Sequence, residues 1–172
     1  NTEIKSISLR YFNPIGAHES ILIGENPFDK PQNLVPMITQ TAIGKYPFLN
    51  IYGNDYKTRD GTCIRDYINV MDIADAHVSA ISKLIKMKSS YYDVYNVGTG
   101  KGTSVLEVID LFEKSNNLKL NYKFSDRRDG DVESAYASCD KINKELNWMD
   151  KYSLEDSLIS AWNWECKINS KN

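Results

Sequence analysis

Short β-forming runs alternate with amphipathic helical stretches along the whole chain, and that alternation restricts it to an α/β fold. Ile4 to Phe12 reads as a strand, with Ile4, Ile7, Leu9, Tyr11 and Phe12 as β-formers, and Asn13-Pro14 breaks it. Residues 14–33 hold Gly16, Gly24, Pro27 and Pro31 without a clean period, which predicts a long irregular segment of the functional kind. From Leu34 to Ala42, residues Leu34, Met37, Ile38, Thr41 and Ala42 share a helical face, and Gly44 ends the helix. Phe48 to Tyr52 and Ile64 to Val70 read as strands on either side of a polar connection. Met71 to Leu84 is the clearest helix, with Asp72 as N-cap and Ile73, Ala76, Ala80, Ile81 and Leu84 as its buried stripe.

Tyr91 to Val97 is another strand, and Gly98 to Gly102 a turn. Ser104 and Glu107 have the capping-box spacing ahead of a helix with Val105, Val108, Ile109 and Phe112 inward. Leu118 to Phe124 reads as a strand, Ala135 to Ser138 as a short extended piece, and 139–147 and 153–166 as two closing helices. The last turns Leu154, Ser157, Leu158, Ala161, Trp162 and Cys166 inward.

A chain of 172 residues, 41% hydrophobic and 26% charged, has the composition of a folded globular domain, not of a disordered one. No run approaches the roughly 18 apolar residues of a membrane helix. A net charge of −2 with scattered basic residues gives no pull toward nucleic acid or an anionic membrane. The tightest basic group, Lys83, Lys86 and Lys88, falls at a helix end, where cations meet the helix dipole favourably. Cys63, Cys139 and Cys166 are far apart and odd in number, with no metal-ligand spacing, so they read as free thiols of a reducing, cytoplasmic compartment. The chain begins at Asn1 without an initiator Met or a signal pattern, and is expected to be a piece of a longer one.

Three groups could carry chemistry. Gly98-x-Gly100-x-Gly102 stands between a strand and a helix, but its third glycine comes one residue early for a dinucleotide fingerprint, so a tight turn is the plainer reading. In Asp126-Arg127-Arg128-Asp129-Gly130-Asp131, two guanidiniums beside three carboxylates form either a self-paired cluster or a grip for a diphosphate. Arg65 falls inside a strand destined for burial, where strict alternation sets Arg65, Tyr67 and Asn69 opposite Ile64, Asp66 and Ile68. Its charge needs an internal acid or an anionic ligand. His18 and His77 stand alone, and no Tyr-x-x-x-Lys occurs.

These segments resemble a known family. Leu9-Arg-Tyr-Phe-Asn-Pro-Ile-Gly-Ala-His18, Gln32-Asn-Leu-Val-Pro36 and Ile51-Tyr-Gly-Asn-Asp-Tyr56 with Asp60-Gly-Thr62 match the series found in UDP-glucose 4-epimerases. Arg65-Asp-Tyr-Ile-Asn-Val-Met-Asp72, Tyr95 to Val105, Arg127-Arg-Asp-Gly-Asp131 and Glu145-Leu-Asn-Trp148 continue in the same order. The likeness runs from about Ile7 to Trp164. Single pieces recur across extended short-chain dehydrogenases, and the uninterrupted series with Gly53-Asn-Asp-Tyr56 is specific to the 4-epimerases.

The resemblance implies that residues 1–12 end an NAD-binding Rossmann domain and that 13–172 form a smaller α/β domain closing over a UDP-sugar. It implies a catalytic Tyr-x-x-x-Lys pair in the part preceding this chain, a homodimer built through helices of that part, and no turnover by these residues alone. Tyr11 and Phe12 would lie beside the nicotinamide, and Asn13 near the substrate diphosphate. Gln32, Asn33 and Leu34 would hold the nucleotide, with Gln32 standing where the family usually has asparagine. Asn50, Ile51 and Tyr52 would line the uracil, Arg65 and Arg128 would pair with the phosphates, and Asp131 with the ribose. Ala135 would stand at the position that limits sugar size, where a small residue admits a 2-acetamido group. The alternatives are a sugar-nucleotide decarboxylase or dehydratase, and a binding module without chemistry.

Overall fold

The computed structural model describes residues 4–170, so residues 1–3 of the stretch expected to end a Rossmann domain lie outside the described residues. β1 (Lys5–Tyr11) is followed after one residue by β2 (Asn13–Ile15). Asn13-Pro14 does not end the extended chain, as the sequence suggested, but transfers it to a new partner. The Phe12 amide still donates to the Val97 carbonyl at 3.1 Å, and the Asn13 amide donates to the Asp66 carbonyl at 3.0 Å. The irregular segment follows, then α1 (Leu34–Ala42) and β3 (Leu49–Tyr52).

The strand expected over Ile64 to Val70 is divided at Asp66 into β4 (Ile64–Arg65) and β5 (Tyr67–Asn69), and Val70 already belongs to α2 (Val70–Lys86). The cap of α2 is therefore Asn69, whose side-chain oxygen accepts from the Met71 amide at 2.8 Å. Asp72, the expected cap, is fully buried and accepts the amides of Lys151 and Tyr152 instead. Ile81 is also misplaced by the sequence reading. It is 56% exposed, on a face with Val78 and Ile85, while Ile73, Ala76 and Ala80 are buried.

β6 (Tyr91–Val97) and β7 (Thr103–Ser104) precede α3 (Val105–Asn116), and the Ser104/Glu107 capping box forms as its spacing predicts. β8 is shorter than expected (Tyr122–Ser125), because Leu118 and Leu120 pack onto the core before the strand begins. β9 (Ser134–Ala135), α4 (Asp140–Leu146) and α5 (Leu154–Asn169) complete the described chain.

The strands pair in small parallel units: β1 with β6, β2 with β5, and β3 with β8. β4 lies between β7, antiparallel, and β9, parallel. Two hydrophobic clusters fill the interior. One gathers Val35 and Ile38 of α1, Leu49 and Ile51 of β3, Val108, Ile109 and Phe112 of α3, and Leu158 of α5. The other gathers Ile73 and Ala76 of α2, Tyr95 and Val97 of β6, Ile142 of α4, and Trp148, with Ile7 and Leu9 of β1 against it. A boundary at residue 12 thus cuts through this second cluster.

β5 is the seam between the clusters. Tyr67 enters the first and Ile68 the second, as two-residue alternation requires. Asn69 turns back to donate to Ser157 Oγ of α5 at 2.9 Å. Asp66, on the Ile68 side, is fully buried. Its carboxylate accepts the amides of Thr99 at 3.0 Å, Gly100 at 3.0 Å and Ala137 at 3.1 Å, and the Thr99 hydroxyl at 2.7 Å. A Cβ on Gly98 would stand 2.5 Å from this carboxylate, so only glycine lets the turn close over it. The glycine-rich turn is thereby explained as structure, since its Thr99 and Gly100 amides are spent on Asp66.

Asp66→Ala leaves the Thr99, Gly100 and Ala137 amides without their acceptor and should cost about 3–5 kcal/mol of stability. Urea denaturation measures this, and a loss under about 1 kcal/mol would contradict the role given to Asp66.

Candidate functional site

The ends of α1, β3, α3 and the loop after β8 meet around a cleft of about 260 Å³. Gln32, Asn33 and Leu34 form the wall at the start of α1. Asn33 takes the extended N-cap conformation (φ −83, ψ 149), its carbonyl accepting the Met37 amide at 3.3 Å while its side chain makes no capping bond to the helix. The orphan amides of that first turn and the helix dipole favour an acceptor or anion at this end. Asn50, Ile51 and Tyr52 form the opposite wall, with Ile51 anchored in the core and Asn50 Oδ1 accepting from Ser125 Oγ at 3.1 Å. Arg128 and Asp131 close the cleft from the loop after β8.

Arg65 joins them through Asp131. Its Nη2 donates to Asp131 Oδ1 at 3.1 Å and its Nη1 to the Ile64 carbonyl at 2.8 Å. Arg128 places its guanidinium 3.9 Å from the centre of the Tyr52 ring and makes no ion pair among the described residues. The charged loop is therefore not self-paired, as one reading of its sequence had it. Its Arg127 goes to Asp55, its Asp131 to Arg65, and its Arg128 faces the cleft. Two guanidiniums, one stacked and one paired to a single carboxylate, can grip an anion with two negative groups. The polar groups of the walls suit the hydrogen-bonding edge of a flat base.

Ala135 is adjacent to this grip, because β9 pairs it in register with Arg65. Its neighbour Tyr136 packs toward Gly102 instead, where an added Cβ would meet the tyrosine ring at 3.1 Å. Tyr11, Phe12 and Asn13 are not in the cleft. They occupy the β1–β2 junction, with Tyr11 half-exposed and its ring 6.2 Å from that of His77. This places Tyr11 at the C-terminal end of a parallel strand, the usual side for ligands of such sheets. Beside it runs a mainly apolar groove of about 550 Å³ that includes Pro14, Ile15, Gly16, Val70, Met71 and Ala74.

Lys30, Met37, Leu49 and Val105 also line the cleft and were missed by sequence reasoning. Val105 had a readable signal: it is the first residue after a capped helix start. That start is clamped in place. Arg59 Nε donates to Glu107 Oε1 at 2.5 Å and its Nη2 to the Gly102 carbonyl at 2.8 Å, while Ser104 Oγ bonds Asp60. Burial pushes the Tyr67 hydroxyl far above its usual range, so behind the cleft it stays protonated. Among the described residues, no cluster of three or more His, Cys, Asp or Glu could hold a metal ion, and no helix is long and apolar enough to cross a membrane.

The family model described as GDP-mannose 4,6 dehydratase matches residues 1–160. The chain is similar to UDP-glucose 4-epimerase 2 of Arabidopsis thaliana, at 51% identity over 164 residues, covering 95% of this chain and 47% of that protein. It superposes on UDP-glucose 4-epimerase from Stenotrophomonas maltophila, solved with NAD and formylated UDP-arabinopyranose, with a TM-score of 0.95 and 40% identity. It also superposes on UDP-glucose 4-epimerase from Bifidobacterium longum in complex with NAD+ and UDP, with a TM-score of 0.92 and 42% identity. Both likenesses cover 99% of this chain and 50% of the other. The chain spans about half the length of the curated relatives it matches.

The Arg59 guanidinium, helped by the Ser104 amide, holds the Glu107 carboxyl down to about 2 from an ordinary 4.5. A depressed carboxylate stabilises the fold above its unfolded value and loses that contribution as pH falls through the folded one. Stability should therefore fall between about pH 5 and pH 2, and Glu107→Gln should remove up to about 1 kcal/mol of that fall, the pair being half-exposed. Urea titrations at pH 5 and pH 3 measure this, and identical pH slopes in the two proteins would contradict it.

Proposed function

This chain belongs to the GDP-mannose 4,6 dehydratase family, and we propose that it is the UDP-sugar-binding half of an NAD-dependent UDP-glucose 4-epimerase. The observation that carries the reading is convergence. Gln32, Asn33, Leu34, Asn50, Tyr52, Arg128 and Asp131, which the sequence motifs single out, come from three separated segments and line one cleft, with Arg65 of a fourth tied to it through Asp131. In this reading the uracil lies between the α1 start and β3, and the ribose against Asp131. The diphosphate draws Arg65 and Arg128 together and replaces the contacts each has without it. The nucleotide handle then holds the sugar at the reacting centre, a use of remote binding energy.

NAD, when bound, supplies the acceptor and donor of the hydride. Tyr11 and Phe12 are the residues of this chain that suit its nicotinamide end. Tyr11 offers a half-exposed ring at the C-terminal end of β1, while in the glycine-rich turn the Thr99 and Gly100 amides are already bound to Asp66 and the Lys101 amide to the Thr99 hydroxyl. Asn13 would reach the substrate from the same junction. The base that takes the sugar hydroxyl proton belongs to the preceding part of the protein. β1, whose only strand partner among the described residues is β6, and the exposed Val78, Ile81 and Ile85 of α2 suit contact with that part. In the whole protein, β1, β6, α2 and α4 would then belong with the NAD-binding unit, and the first hydrophobic cluster with the UDP-sugar unit. A homodimer and a cytoplasmic location complete the reading. Ala135 beside Arg65, with Tyr136 turned toward Gly102, supports room for a 2-acetamido group.

The full-length protein should interconvert UDP-glucose and UDP-galactose with NAD, and Arg65→Ala and Arg128→Ala should each raise KM for the UDP-sugar about 10- to 100-fold, as loss of a charge-assisted contact does. Binding without turnover by the full-length protein would favour a binding module. Turnover by the 172 residues alone would sink the assignment of catalysis to the other part. The full-length protein should also act on UDP-GlcNAc, and Ala135→Tyr should abolish that while sparing UDP-glucose. Failure of the unmodified protein to turn over UDP-GlcNAc would refute the proposed breadth.

A further inference from the structure

We infer that Arg127 is a positioning residue, which fastens the loop after β8 to the cleft rim so that Arg128 and Asp131 are held facing the UDP. The inference rests on the reading of the cleft as a UDP site. β8 ends at Ser125, whose carbonyl accepts the Gly53 amide at 2.8 Å, and the loop returns to the fold at Asp131 through Arg65. Between these points Arg127 provides a separate fastening outside the cleft. Its Nε donates to Asp55 Oδ1 and its Nη2 to the Asp55 carbonyl, both at 2.7 Å, so its fork straddles the side chain and main chain of one residue. A lysine cannot reproduce that two-point contact.

The same guanidinium lies 4.1 Å from the centre of the buried Tyr56 ring. Gly53, at φ +80, makes the approach possible, since a Cβ there would come within 2.4 Å of the Tyr56 ring and 3.0 Å of Arg127 Cγ. The adjacent arginines thus divide the work. Arg127 is bound to the rim, and Arg128 stacks on Tyr52 with no ion pair among the described residues, ready for an anion. Fastening the loop beforehand lowers the ordering cost of bringing Arg128 onto the ligand.

The test is UDP titration calorimetry and steady-state kinetics on the full-length protein. Arg127→Ala should weaken UDP binding about 3- to 30-fold, the range of an exposed charge contact plus a cation–π stack, Asp55→Asn, which keeps the stack and the carbonyl contact, about 2- to 5-fold, and Arg127→Lys should restore the loss in part. KM for the UDP-sugar should rise with kcat unchanged. In an Arg128→Ala/Asp131→Ala background, Arg127→Ala should add less than about twofold, because the two groups it positions are already gone. An equal loss in both backgrounds would overturn the inference by making Arg127 an independent ligand contact, and so would wild-type affinity in both Arg127→Ala and Asp55→Asn. If Arg127→Ala fails to fold, the near-isosteric Asp55→Asn decides alone. Failure of the unmodified protein to bind UDP overturns the cleft reading itself, a result distinct from the others.

Discussion

The buried carboxylate of Asp66 is the contact on which the arrangement of the cleft depends. It sits between β4 and β5, at the seam of the two hydrophobic clusters, and gathers the amides of Thr99, Gly100 and Ala137. These come from the turn after β6 and from the segment after β9, which are far apart in sequence. Its main-chain carbonyl also receives the Asn13 amide, where the chain passes from β1 to β2. One side chain therefore sets the position of β4 relative to β6 and β9. Arg65, the residue before it, is turned to the opposite face and toward Asp131.

Much of this architecture is legible in the sequence, for physical reasons. α3 is marked by a capping box that closes as its spacing requires, and β6 by an uninterrupted β-forming run. The alternation of Arg65, Tyr67 and Asn69 against Asp66 and Ile68 is read correctly because a strand crossing between two cores has no freedom to slip. Readings that fail do so where tertiary contact overrides a local pattern. Asn69 caps α2 because Val70 adopts helix instead of strand, and Asp72 is drawn inward by the Lys151 and Tyr152 amides. Ile81 fits a helical stripe by spacing but lies on a face that the described residues leave uncovered.

The cleft is legible as a list of motif residues and illegible as a set of contacts. Arg65 stands out because a charge inside a strand destined for burial is costly without a partner, and Arg128 because two guanidiniums beside three carboxylates suit a self-paired cluster or an anion grip. Which partner each has depends on loop geometry that no spacing rule contains: Asp131 for Arg65, the Tyr52 ring for Arg128, and Asp55 for Arg127. Tyr11, Phe12 and Asn13 share a motif with the cleft series yet lie at the β1–β2 junction, outside the pocket. That separation accords with two ligands approaching from two sides, the nucleotide handle in the cleft and the cofactor at the end of β1.

The most direct measurement is the position of UDP in a crystal of the full-length protein soaked with it. The account predicts the diphosphate between Arg65 and Arg128, the uracil against Asn50 and Tyr52, and the ribose at Asp131. UDP seated in the apolar groove beside Pro14 and Met71, or anywhere that leaves both arginines in their present contacts, would contradict it.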